Sequence, residues 1–118
     1  MKIKKTIVGF LFAFLLVSTA NAQETRTTVP GAQLYFSGTT VTCQVIIPRP
    51  DSDDVISATI ELSCEGQNIK TWNEYSTNGY LFFKDTVSVA KGKTYELMVD
   101  YTVNGKAQTS LYNSGTCK

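Results

Sequence analysis

The sequence predicts an all-β protein, an antiparallel two-sheet sandwich of about seven strands, preceded by a cleaved export signal. Three observations carry this reading. From residue 33 onward, apolar and polar side chains alternate with a period of two in several segments, the pattern of half-buried strands. Clusters of Gly, Asn, Pro and Asp divide those segments at hairpin intervals, and no window sustains a period of 3.6. A partly open barrel of similar strand count is the competing architecture.

Residues 1–22 carry the export signal. Lys2, Lys4 and Lys5 form a basic start, residues 7–17 are unbroken apolar, and Ala20-Asn21-Ala22 supplies the small-residue cleavage pattern. A spanning helix needs about 20 apolar residues, so this run is too short to be one. Cleavage removes three of the 11 basic residues, leaving eight against 10 acidic ones on a 96-residue chain of net charge −2. No nucleic-acid partner and no membrane insertion of the mature chain are therefore expected, because both nucleic acid and anionic membranes are held by clustered Lys and Arg. The expected location is secreted, extracellular or associated with the cell surface.

Residues 23–32 are Thr-rich, end in Pro30-Gly31 and read as a flexible lead-in to a domain over 33–118. Strands are expected at 33–36, 40–47, 56–64, 69–75, 80–89, 94–103 and 107–112. The sixth is clearest, with Tyr95, Leu97, Val99, Tyr101 and Val103 alternating with Glu96, Met98, Asp100 and Thr102. Val41, Cys43, Val45 and Ile47 alternate likewise, as do Ile56, Ala58, Ile60, Leu62 and Cys64. Asn104-Gly105 is the strongest hairpin signal, since a type I′ turn needs φ > 0 at both central residues. Glu65-Gly66-Gln67-Asn68, Asn78-Gly79 and Lys91-Gly92-Lys93 mark further turns.

The stretch from Val87 through Lys91-Gly92-Lys93-Thr94-Tyr95 to Val99 resembles the E-to-F passage of immunoglobulin-like and fibronectin type III sandwiches. There a Gly-containing turn leads to a tyrosine whose hydroxyl bonds back to the backbone, and the resemblance gives Tyr95 that role. The mature chain also resembles small secreted bacterial single-domain β-sandwich proteins of unknown function, mostly from Gram-positive organisms. That likeness rests on the strand at 40–47, Ile56-Ser-Ala-Thr-Ile-Glu-Leu62, Lys70-Thr-Trp72 and the 91–95 turn. It implies an immunoglobulin-like fold and an extracellular compartment, and it implies no active site. The Cys…Trp…Cys spacing of true immunoglobulin domains is missing, because Leu97 stands where the second cysteine would fall.

Outside the cytosol, Cys43, Cys64 and Cys117 should pair where geometry permits, with one left over. An up-and-down strand order brings all three to one end of the molecule, and spacing alone does not choose among the three pairings. Cys43 with Cys117 is favoured, since a flexible tail can reach a strand start. Cys64 is then a small buried hydrophobe, an alternative disulfide partner or the link in a covalent dimer; otherwise a monomer is expected.

The absence of histidine removes Ser-His-Asp and Cys-His nucleophile pairs and every His-containing zinc site. Asp51, Asp53 and Asp54 form an oxygen-rich loop but lack the EF-hand order, so a solvated turn is favoured over calcium. Glu61, Glu96 and Asp100 point outward by parity and read as solubilising groups rather than a glycosidase pair. Ser88 and Lys91 have Ser-x-x-Lys spacing without a convincing context. The expectation is no enzyme, no cofactor and no metal. Tyr80 and Phe82 fall on the outward parity of their strand and, with Trp72 and Tyr75, make a candidate contact patch for a protein or carbohydrate partner. The leading functional expectation is a non-catalytic binding or adhesion-type module. A secreted effector or bacteriocin-like protein and a structural subunit of an extracellular assembly are the alternatives.

Overall fold

The computed structural model describes residues 29–118; the export signal lies outside the described residues, as does most of the lead-in. Eight strands form in the described chain: β1 (Gly31–Ser37), β2 (Thr40–Pro48), β3 (Ile56–Cys64), β4 (Gln67–Ser76), β5 (Tyr80–Ser88), β6 (Thr94–Val103), β7 (Lys106–Ala107) and β8 (Leu111–Thr116). All neighbouring strands are antiparallel. One sheet has the order β1-β2-β5, and the larger has the order β8-β6-β3-β4 with β7 paired to the end of β6.

Two expectations are corrected by this topology. The chain does not run up and down: it leaves the three-stranded sheet after β2, returns for β5 and leaves again for β6. Nor does the lead-in extend to residue 32, because Gly31 and Ala32 already pair with Ile46 and Val45, and Ala32 is buried.

The core lies between the sheets and is built by parity. Val41, Cys43, Val45 and Ile47 of the central strand β2 face Ile56, Ala58, Ile60 and Leu62 of β3 and Tyr95, Leu97, Val99, Tyr101 and Val103 of β6, all of them buried. These three strands have neighbours on both sides, so their inward side chains are shielded on every flank. Fully burying each Val, Leu or Ile contributes on the order of 1.5–3 kcal/mol relative to exposure.

Turn chemistry follows the sequence closely at two hairpins. Asn104 and Gly105 have φ of 52° and 82°, and Glu65 and Gly66 have 52° and 85°, so both two-residue turns meet the type I′ requirement. The last expected strand, by contrast, is split. Thr102 pairs with Ala107 whereas Val99 pairs with Leu111, so residues 108–110 hold one extra residue and break the strand into β7 and β8.

Tyr95 behaves as the resemblance implied. Its hydroxyl accepts the Ala90 backbone N–H at 2.7 Å, closing the β5–β6 crossover from a position that is itself buried. Removing that acceptor strands a backbone donor, so Tyr95→Phe is expected to cost about 1–2 kcal/mol in denaturant unfolding. An unchanged midpoint would mean that water replaces the phenol. Beside it, the Phe36 ring packs 6.1 Å from Tyr95 and lies over Gly115, where a Cβ would meet the ring at 2.8 Å. A glycine inside β8 thus admits a ring from the facing sheet.

Candidate functional site

The loops at one end of the sandwich are short and cross-tied. Arg49 N donates to Gly79 O at 2.8 Å, Gly79 N to Asp54 O at 3.0 Å, and Asn104 N to Val55 O at 2.7 Å. Asn104 Oδ1 accepts Val55 N at 2.8 Å. At the centre sits Asp54, only 8% exposed, whose two carboxylate oxygens accept Arg49 Nε at 3.0 Å and Asn104 Nδ2 at 2.9 Å. With both oxygens committed to donors, the acidic loop acts as a structural tie between three connections.

Those donors have a pH consequence. Hydrogen bonds from Arg49 and Asn104 hold the Asp54 carboxyl below its ordinary value of 3.8. A carboxylate whose pKa is lower folded than unfolded stabilises the fold above the unfolded value and loses that contribution as pH falls through the folded one. Thermal stability is therefore expected to be level above about pH 5 and to drop in stronger acid, with a shallower drop in Asp54→Asn, as followed by circular dichroism. Equal slopes in the two proteins would assign the acid sensitivity elsewhere.

The predicted contact patch is divided by the structure. Trp72 stands opposite Ile60 on the inward row, its ring 5.0 Å from Phe83 and its Nε1–H donated to Asp85 Oδ2 at 2.9 Å. Lys70 Nζ reaches the same oxygen at 3.4 Å and lies 5.4 Å from the centre of the Trp72 ring. Trp72 thus seals the flank between β4 and β5. Tyr75 and Phe82 are exposed, as parity required, but on the outer faces of different sheets, with Tyr80 beside Pro48 on the same side as Phe82. The connection between β4 and β5 passes from one sheet to the other, so neighbours in sequence face away from each other.

The outer face of the larger sheet gathers exposed groups that the sequence left scattered. One row crosses all four strands as Tyr112, Met98, Glu61 and Thr71. Tyr112 is 54% exposed and Met98 37%. Glu96 and Asp100 flank Met98 on β6, with Tyr112 donating to Glu96 and Ser110 to Asp100. By register, no lysine or arginine of the described strands alternates onto this face beside its three carboxylates. Met98 was legible from parity. Tyr112 was not, because the extra residue at 108–110 resets the alternation.

The cysteines do not pair. All three are free and buried, which corrects the expected Cys43–Cys117 disulfide. Cys43 is the fourth residue of β2, on the row of Leu34 and Asp85, and the Phe36–Val41–Val87 row separates it from the β1–β2 turn. Cys117 sits at that turn, its Sγ 3.2 Å from Gly38 O. The C-terminus is tied down by backbone instead, with Cys117 N donating to Lys93 O and Gly92 N to Cys117 O. Burial, with the Asp85 charge nearby, pushes the Cys43 thiol up to about 11, so it is a poor nucleophile at neutral pH. Cys64 ends β3 beside Tyr95, at the floor of a shallow recess rimmed by Glu65 and Lys93.

Comparison of the chain with family models, with curated proteins and with solved structures gives no match in any of the three.

Proposed function

We propose that this chain is a secreted, non-catalytic binding module with an immunoglobulin-like sandwich, and that it meets a protein or carbohydrate ligand with the outer face of its larger sheet. The strand orders β1-β2-β5 and β8-β6-β3-β4 and the Tyr95 hydroxyl bonded to Ala90 N support the immunoglobulin-like reading. The observation that carries the function is the exposed row of Tyr112 and Met98 set among Glu61, Glu96 and Asp100. Tyrosine offers a large rigid contact with a polar tip, and methionine adapts to irregular surfaces.

The test uses the purified protein against immobilised polysaccharides and cell-surface proteins. Tyr112→Ala and Met98→Ala should each weaken the strongest binding by about tenfold or more with melting unchanged, while Phe82→Ala on the opposite face should leave it intact. Loss of binding in Phe82→Ala alone would move the site to the three-stranded sheet.

A further inference from the structure

We propose that β4 is a self-complementary edge through which two copies of this chain pair strand to strand. Among the described residues β4 hydrogen-bonds only to β3, so its other edge is open there, regular from Lys70 to Ser76 and interrupted at Ile69 by the register shift against β3. An open strand of this length is a template for another strand, and natural edges are commonly blocked by charges that point inward. β4 carries two such charges. Lys70 and Glu74 share the inward row with Trp72, opposite Leu62 and Ala58 of β3. Lys70 has a partner in Asp85. Glu74 is half-buried and has no ion-pair partner among the described residues. A strand without matching charge laid against this edge would cover that carboxylate uncompensated.

A second copy of β4 supplies the match. In an antiparallel pair related by a two-fold axis through Trp72, residues equally spaced on either side of Trp72 face each other across the seam. Lys70 then stands opposite Glu74 of the second copy, and symmetry makes the pair twice. Thr71 falls opposite Asn73, and the regular part of the seam ends at Lys70, because Ile69 is the extra residue where the β3–β4 register shifts. Other registers lose the charge pairing. Centres at Thr71 or Asn73 set both charges against neutral side chains, and centres at Lys70 or Glu74 set like charges against themselves, which is destabilising. The same two charges that disfavour a generic strand thus select one register of this chain with itself. β5 is the end strand of the other sheet on the same flank, next to β4 through the Trp72–Phe83 contact. The seam meets the outer face only at its β4 margin, through Thr71, Asn73 and Tyr75, two strands away from Met98 and three from Tyr112, and the charge reversals at Lys70 and Glu74 lie on the inward row, so failure of one reading is distinguishable from failure of the other.

Sedimentation of the protein expressed from the full chain tests this over a range of concentrations, with and without reductant. A reversible dimer indifferent to reductant is expected. Lys70→Glu and Glu74→Lys should each raise its Kd at least about tenfold, because each sets like charges opposite one another twice. An equal mixture of the two variants should dimerise again, since every facing pair then has opposite sign. Should Lys70→Glu disturb the Asp85 contact and unfold the chain, Glu74→Lys alone still reads the seam, with melting as the control. A monomer at every concentration, a dimer indifferent to both reversals, or a mixture of two folded variants that fails to dimerise would overturn the proposal.

Discussion

Replacing Gly79 by alanine is expected to destabilise the fold by about 3 kcal/mol and lower Tm by roughly 12–24 °C. Two costs coincide at this position. Its φ of +74° is a conformation that side chains bearing a Cβ rarely adopt. The added carbon would also lie 2.3 Å from the Asp51 carbonyl oxygen and 2.9 Å from Ser52 Cα, both of them backbone atoms. Relief would require the 49–54 loop to back away, which lengthens the Arg49–Gly79 and Gly79–Asp54 hydrogen bonds as well. Gly38→Ala provides the control, because Gly38 has φ of +58° with nothing within 4 Å of its added carbon. It should cost only about 1–2 kcal/mol, the backbone term alone. Equal losses in the two variants would show that the loop contact contributes nothing.

Leu97→Ala is expected to cost about 3 kcal/mol, within the 2–5 range for emptying a filled core site. Leu97 is fully buried in the interior of β6, paired with Leu62 of β3 and Asn113 of β8. Strands on both sides fix its surroundings, so collapse into the vacated space is limited and the cavity term persists. Met98→Ala, one residue along on the outer face, should change stability by no more than about 0.5 kcal/mol. Denaturant unfolding of the two variants side by side measures the layer boundary, and comparable losses would place Met98 in a covered face.

How far the site was readable from sequence depends on where each residue lies. Parity correctly exposed Phe82 and buried Tyr95, because β5 and β6 each have one face against the core. Parity also separates Trp72 from Tyr75, three residues apart on one strand, a signal that the predicted patch overlooked. It was weak because β4 is an edge strand, mostly exposed, with Lys70 and Glu74 on its inward row. No apolar alternation advertised which side was the core. The tie at Asp54 was invisible for another reason: Arg49, Asp54, Gly79 and Asn104 belong to three separate connections that meet only when the sheets stack.

By itself the sequence determined the local layer of this protein: strands where apolar residues alternate, turns where Asn-Gly and Glu-Gly adopt positive φ, and exclusion of imidazole chemistry. These depend on a residue and its near neighbours. Only the tertiary structure decided the order of strands, the inward turn of Trp72, the row that joins Tyr112 to Met98 and the separation of the three thiols. Each of those depends on which strands lie side by side across long stretches of chain. One extra residue at 108–110 resets the facing of everything after it, and a crossover between sheets sends adjacent residues to opposite surfaces. The expected Cys43–Cys117 disulfide is missing for a more local reason: Cys117 sits at the β1–β2 turn, and the Phe36–Val41–Val87 row stands between that turn and Cys43.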